Sequence, residues 1–483
     1  MTPDTSPGPG WEIVVGLEVH CELSTATKLF CSCPNAFGAE PNTNVCPVCL
    51  GLPGSLPVLN ARAVEFAIAI GSALGSTVEA SVFHRKNYFY PDMPKDYQIS
   101  QYDAPINVGG RVELADGSVV GIVRAHIEED TGKTTHVGGG GRIHDADYSL
   151  VDYNRAGVPL VEIVSEPDIR SAEQARSYVT ELRAILVATG ASDGRMEEGS
   201  LRVDANISVR RAGDAEYGTR CEVKNLNSLR SLGRAVDYEA ARQIAVLDSG
   251  GRVVQETRHW NEDEGLTSPL RSKEEAYDYR YFTEPDLVPL APSAAAIAAV
   301  VAGLGPLPAA RRHRLAGLVA ADGLPAPVDQ LATVVGLGLD DLVRGAADHG
   351  ADPRLALARA ANEAANRPAD ARALFPEAFA ALVKLESTGK LSATQSKTVL
   401  AAMLEGGGEP AGIAARLGFE ALGDADLDAA IVSVLAAHPA EWARFKEGDA
   451  KIAQFLLGEV MRATRGRANG KAVAASLEAR RRN

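Results

Sequence analysis

The chain has 483 residues, 46% of them hydrophobic, and a formal net charge of −14. That length supports about two to four domains with real cores, and the acidic balance excludes a protein that coats nucleic acid indiscriminately. The opening MTPDTSPGPG lacks a basic region followed by an apolar one, and the longest apolar run, Ala294 to Gly305, is stopped by Pro306; neither a secretory leader nor a membrane span is expected, and the chain reads as cytoplasmic.

Residues 1–10 read as a disordered Pro/Gly lead. From Glu12 to Leu23 the sequence alternates, with Ile13, Val15, Leu17, Val19, Cys21 and Leu23 on one face and Glu18, His20 and Glu22 on the other. This predicts a half-buried strand on which Glu18 and His20 project together. A surface ion pair and joint metal ligation both fit that geometry.

Cys31-x-Cys33 and Cys46-x-x-Cys49 follow, two close pairs whose spacing suits tetrahedral zinc; disulfides are the competing account. Ala61 to Gly75 has helical periodicity. Lys86 to Ile106 then mixes four tyrosines and Phe89 with prolines and charges, as a packed loop would, or a pocket for a planar or sugar-phosphate ligand with Lys86 and Lys95 as phosphate partners.

Arg124 to Lys133, RAHIEEDTGK, is the densest polar stretch, with His126, Glu128, Glu129 and Asp130 between basic residues. Adjacent carboxylates repel, so the stretch is either a solvated charged turn or a site for a hard cation. It is not a P-loop, because Ile127 stands where that pattern requires glycine. Gly109-Gly110 and Gly138 to Gly141 read as turns that place this stretch in a twisted antiparallel sheet.

Glu162 lies inside the apolar run GVPLVEIV, where a carboxylate needs a partner or a metal. A helix is predicted from about Ala172 to Ala188. Ser200 to Arg210 alternates again, with Asp204, Asn206 and Ser208 on one face. Four strand-like segments therefore offer acids or an imidazole, as dispersed cation ligands do.

Beyond residue 292 the composition turns Ala-rich and helical, with a further break at Glu405 to Gly412. The expected fold class is α+β: an N-terminal domain, 11–292, on a mainly antiparallel sheet with a zinc knuckle, then helical domains at 293–404 and 405–483. Residues Met461 to Asn483 carry a net +6, which leaves −20 for the rest. A basic end on an acidic body suits a polyanion gripped at chosen points, and equally a solvated tail.

Taken together, GLEVH, the paired cysteines, KNYFYPDMPKDYQIS, HIEEDTGK, DYNRAGVPLVEIVSEPDI, EEGSLRVDANIS, EVKNLNS and DYRYFTEPDLVPL resemble the B subunit of the aspartyl/glutamyl-tRNA amidotransferase family over essentially the whole chain. The resemblance implies a catalytic cradle domain, a helical domain and a tail that touches tRNA. It implies ATP- and Mg2+-dependent phosphorylation of the side-chain carboxylate of Glu on tRNA(Gln) or Asp on tRNA(Asn), then displacement of phosphate by ammonia. His20, Glu129 and Asp204 are implied as magnesium ligands, with Glu18, Glu128 and Glu162 as further catalytic candidates. Lys86 and Tyr88 are implied to face ATP or the acceptor end, and Zn2+ to sit on Cys31, Cys33, Cys46 and Cys49. Arg462, Arg465, Arg467 and Lys471 are implied to hold tRNA phosphate. Ammonia would come from glutamine hydrolysed by an amidase subunit, and a further small subunit would complete the heterotrimer. Two alternatives remain: a non-catalytic tRNA-binding scaffold of the same complex, and a stand-alone metal-dependent phosphotransferase.

Overall fold

The computed structural model describes residues 10–138, 146–270, 279–320, 324–419, 424–447, 449, 451–464, 468 and 470–482. Residues 1–9 of the expected 1–10 lead and the Gly139 to Gly141 part of one predicted turn lie outside them. The chain divides into two compact units, the first ending at Ala309 and the second beginning at Ala310.

In chain order the first unit contains β1 (Trp11–Glu22), α1 (Ala61–Ala73), β2 (Thr77–Val78), β3 (His84–Asn87), β4 (Tyr97–Ser100), β5 (Asn107–Val108), β6 (Arg111–Glu113), β7 (Val119–Glu129), β8 (Lys133–Val137) and β9 (Tyr148–Asp152). It continues with β10 (Pro159–Ser165), α2 (Ala172–Ala188), β11 (Leu201–Arg211), β12 (Cys221–Leu226), α3 (Leu229–Asp248), β13 (Thr257–Asn261), β14 (Leu266–Pro269), β15 (Phe282–Thr283) and α4 (Ala294–Ala302). One large sheet runs in the order β14-β13-β12-β11-β1-β10-β7-β4-β3-β15, while β8 and β9 form a separate ribbon. The described strand pairings are antiparallel except that of β12 with β13, which α3 connects as a crossover helix.

Strand alternation makes this sheet two-faced. Val15, Leu17 and Val19 of β1, Ile127 of β7, Val161 and Ile163 of β10, and Val203, Ala205 and Ile207 of β11 are buried in one core. Residues of α1, α2 and α3 complete that core, among them Ile70, Tyr178 and Val236. Each helix begins where a side chain caps its first turn: Asn60 accepts from Arg62 N, Ser171 from Gln174 N and Ser228 from Ser231 N. At Gly71 a Cβ would fall 1.9 Å from Asn107 Oδ1, so only glycine lets α1 approach β5, where Asn107 Nδ2 donates to Ala67 O at 2.9 Å.

The compositional change at 293 does not coincide with the division between the units, because α4 shares contacts with α1 and Ile297 and Val300 pack against the sheet core. The second unit is helical from α5 (Pro308–Val319), whose first residues overlap the division, through α6 (Val328–Gly336), α7 (Asp340–Asp348), α8 (Pro353–Asn362), α9 (Pro368–Arg372), α10 (Pro376–Ser387), α11 (Ala393–Gly406) and α12 (Pro410–Arg416). These share one apolar core that includes Val334, Leu357, Phe379 and Val399. Four further helices, α13 (Asp424–Ala437), α14 (Pro439–Lys446), α15 (Lys451–Ala463) and α16 (Gly470–Arg482), enclose a smaller core around Ile431, Phe445, Leu456 and Val473. The protein is thus α+β, with a sheet-rich N-terminal part and a helical C-terminal part. No helix among the described residues is long and apolar enough to cross a membrane.

Candidate active site and cysteine cluster

The face of the sheet turned away from the α1–α3 core is polar, and strand register decides which side chains meet on it. His126 on β7 pairs with Glu162 on β10, Glu162 with His20 on β1, and His20 with Arg202 on β11. One row thus carries two imidazoles, a carboxylate and a guanidinium across four strands. The next row along pairs Val164 with Glu18 and Glu18 with Asp204.

His20, Glu128 and Glu162 each place one donor atom within 4.8 Å of the other two. His126 Nε2 lies 3.2 Å from Glu128 Oε1 and 3.4 Å from Glu162 Oε2, and His20 Nε2 lies 3.9 Å from the same Glu162 oxygen. Burial pushes the Glu128 carboxyl up, but the His126 hydrogen bond and the Lys86 charge overcome it and hold the group below its ordinary range. The Glu18 carboxyl is raised, first by burial and then by the negative charge of Glu162 and Glu222, although Asn206 Nδ2 donates to it at 2.9 Å.

Cations line this face as well. Lys224 bonds Asp204 and lies 2.7 Å from Glu222 Oε1. Arg202 Nη2 donates to Asp130 Oδ2 at 2.5 Å, and Arg155 lies 3.6 Å from that oxygen. Burial pushes the neighbouring Glu22 carboxyl, next to Asp130, up to about 8.

Of the three residues implied as magnesium ligands, only His20 stands in the three-donor cluster. Asp204 lies one row along, tied to Lys224. Glu129 is not brought to His20 at all: strand parity turns it opposite to Glu128, where it accepts from Lys95 Nζ at 2.5 and 2.6 Å and from Ile99 N at 2.9 Å. Lys95 and Glu129 line a cavity of about 60 Å³ that also touches Cys31 and Cys49. Lys86 lies 4.8 Å from the Tyr279 ring, and Tyr88 stacks on Tyr90 with ring centroids 4.5 Å apart.

Sequence reasoning did not single out Arg202, Glu222, Lys224 or the Tyr279–Tyr281 pair as site residues, and it offered Lys95 as a phosphate partner where the structure pairs it with Glu129. Parity could have found Arg202, two residues from Asp204, and the Glu222–Lys224 pair. Nothing local reveals that Lys95 meets Glu129, or that Tyr279 and Tyr281 reach this face.

The four thiols of Cys31, Cys33, Cys46 and Cys49 lie within 4.8 Å of one another, and none is in a disulfide. Cys46 and Cys49 Sγ are 3.9 Å apart, near the roughly 3.8 Å edge of a tetrahedron with 2.3 Å zinc–sulfur bonds. The hydrogen bond between Cys31 and Cys49 draws the Cys49 thiol down and holds the Cys31 thiol up. This donor set fits a zinc ion.

Residues 13–298 match the family model described as the GatB/GatE catalytic domain, and residues 354–480 match the one described as the GatB domain. A relative from Mycobacterium sp. (strain KMS) is 51% identical over 481 residues, covering 96% of this chain and 95% of its own length. It is named as the B subunit of aspartyl/glutamyl-tRNA(Asn/Gln) amidotransferase. The chain belongs to that family. Relatives of the same name from Frankia casuarinae, 50% identical, and Carboxydothermus hydrogenoformans, 46% identical, each cover 96% of this chain.

The family signature at 13–298 contains the polar sheet face and the cysteine cluster, and the second at 354–480 includes Arg462. Arg462 is paired with Glu459 at 2.9 Å. Arg465 and Arg467 lie outside the described residues, and Lys471 falls in α16.

Proposed function

We propose that this chain is the amide-forming member of a cytoplasmic heterotrimer that converts Glu-tRNA(Gln), Asp-tRNA(Asn) or both to the amidated forms. It would work with an amidase subunit, which supplies ammonia, and with a further small subunit. The observation that carries this reading is the His126–Glu162–His20–Arg202 row with Glu128 beside it: carboxylates, imidazoles and cations converge where phosphoryl transfer to a carboxylate needs them.

His20, Glu128 and Glu162 would hold Mg2+, with Glu18 and Asp204 one row away; two carboxylate donors beside an imidazole suit a hard divalent ion. When bound, the ion draws charge from the phosphoryl oxygens of ATP. The side-chain carboxylate attacks the γ-phosphorus and ADP leaves. Lys86, beside Glu128, and Arg202 offset the negative charge that gathers as the two anions approach. Ammonia then attacks the acyl carbon, the bond to phosphate oxygen breaks, and the surplus proton passes to Glu18, one row along from the cluster, or to the departing phosphate. Tyr88 faces ATP or the acceptor end from the rim, and zinc on the four cysteines braces the segment beneath Lys95. The three-part organisation of cradle, helical domain and tRNA-touching tail belongs to the same reading, with Arg462, Arg465, Arg467 and Lys471 on tRNA phosphate.

The test uses the co-purified complex, ammonium chloride in place of glutamine, ATP, Mg2+ and each misacylated tRNA in turn. Amidated tRNA and ADP should appear, and Glu128→Gln should lower the rate on the order of 10²–10³-fold while tRNA binding persists. Undiminished turnover in both Glu128→Gln and His20→Ala would leave the scaffold reading in its place.

A further inference from the structure

The rim of the polar face carries a chain of aromatic rings bracketed by cations. The Arg124 guanidinium lies 4.8 Å from the Tyr102 ring, and Tyr102 stacks on Tyr281 at 5.2 Å. Tyr281 meets Tyr279 edge-on at 6.1 Å, and Lys86 Nζ sits 4.8 Å from Tyr279. Tyr102 thus has both a cation and a second ring against it and is 39% exposed. The neighbouring Tyr88–Tyr90 stack differs: Tyr88 covers one face of Tyr90, and Tyr90 is 56% exposed, with Phe89 beside it 69% exposed.

These exposed rings do not sit on a loose tip. Met93 plugs the loop into the interior at 2% exposure, and Tyr88 N donates to Asp96 O at 2.9 Å. Gly132 N donates to Asp92 O at 2.7 Å, and the Tyr153 hydroxyl donates to Pro91 O at 2.7 Å. At the loop's base Asn87 Nδ2 donates to Tyr279 O and Arg280 O at 2.7 and 2.8 Å. Fixing an aromatic ring in water, with its face bare, costs entropy and hides no surface, so the arrangement calls for a flat partner.

We propose that the open face of Tyr90 is the platform on which an unpaired base of the tRNA acceptor end stacks, fixing the aminoacyl group over the His20–Glu128–Glu162 cluster. This rests on the function proposed above and names the residue that would hold its nucleic-acid substrate. Single-stranded RNA is recognised by stacking on aromatic rings with cations nearby; here Lys86, two residues before Tyr88, lies against the Tyr279 ring, and the backbone of the exposed Arg280 is bonded by Asn87 at the base of the loop. The polar face supplies the chemistry, whereas Tyr90, stacked on Tyr88 next to the Asn87 that bonds Tyr279 O, supplies a flat apolar surface.

The test is a binding cycle on the co-purified complex, which needs no turnover. Intact tRNA is compared with tRNA lacking its unpaired 3′ nucleotides, on the wild type, Tyr90→Ala and Tyr90→Phe. Removing the 3′ nucleotides should weaken wild-type binding about 5- to 150-fold, the equivalent of one stacked base. Tyr90→Ala should bind both tRNAs equally, and Tyr90→Phe, which keeps the ring, should regain the discrimination. A parallel ATP titration separates the other source of a flat base. If Tyr90→Ala weakens ATP binding and leaves the tRNA discrimination intact, or if it changes neither, the proposal is overturned. Equal loss in Tyr90→Phe and Tyr90→Ala would also overturn it, because the hydroxyl and not the ring would then be responsible. Failure of amidation in the wild type would count against the proposed reaction alone, since the binding cycle is read independently.

Discussion

Glu239 of α3 is fully buried and satisfied by four neighbours. Arg242 donates to it at 2.6 and 2.9 Å, Gln243 Nε2 and the Thr267 hydroxyl each at 2.9 Å, and Arg258 Nε lies 3.3 Å away. Burial alone would raise this carboxyl, but its hydrogen bonds with Arg242 and Gln243 hold it below the ordinary 4.5. A depressed folded value means the charged form stabilises the fold, fully so above 4.5 and progressively less as pH falls through the folded value. Glu239→Gln should therefore cost about 3–5 kcal/mol near neutrality, the usual result of orphaning a buried charge partner. In denaturant melts its gap to the wild type should narrow below pH 4.5; a gap independent of pH would contradict the assignment. At this scale the site was partly legible in the sequence. Alternation put Glu18 beside His20 and Asp204 beside Asn206, and the structure keeps both arrangements. The same alternation separates Glu128 from Glu129, which the density of charge in HIEEDTGK had concealed. Lys95 reaches Glu129 from a loop 34 residues away, and no local pattern encodes that distance.

Among the elements, β1 and α2 were readable because burial on one face leaves a period in the sequence, and α2 spans the predicted Ala172–Ala188. The short strands β2, β5, β6 and β15, of two or three residues each, are too brief to show any period. Tyr279 and Tyr281 reach the site because β15 pairs with β3, a contact that joins positions some 200 residues apart. Residues 28–60 contain neither helix nor regular strand; they are held by Leu29 N on Gly157 O, by Asn42 on Val151 O and Asp152, and by the cluster of four cysteines. The chain should co-purify with about one zinc, measured by elemental mass spectrometry. Chelation or Cys46→Ser should open this segment to proteolysis while the sheet's far-UV signal persists, since structural zinc supplies local folding energy. A zinc-free preparation with the same cleavage pattern would refute the knuckle.

Across the whole molecule, the sheet-rich unit and the helical unit match different family models, and function divides in the same way under the proposed reaction. The acidic body of the chain repels RNA, so grip must be local. Replacing Arg462, Arg465, Arg467 and Lys471 together by Ala should weaken tRNA binding and reduce the slope of log affinity against log salt by up to about three; an unchanged slope would release the tail from that role. The change of composition near 293 was visible in sequence, but the boundary at Ala309 was not, because only packing shows that α4 belongs with α1. The central claim is that the polar face transfers a phosphoryl group to the substrate's side-chain carboxylate. It is tested most directly by charging tRNA(Gln) with glutamate carrying 18O in the side-chain carboxylate and running the ammonium-driven reaction on the intact complex. One labelled oxygen should appear in the inorganic phosphate released per amide formed, and Glu128→Gln should slow the appearance of both products together. Amide formation with unlabelled phosphate would contradict the account.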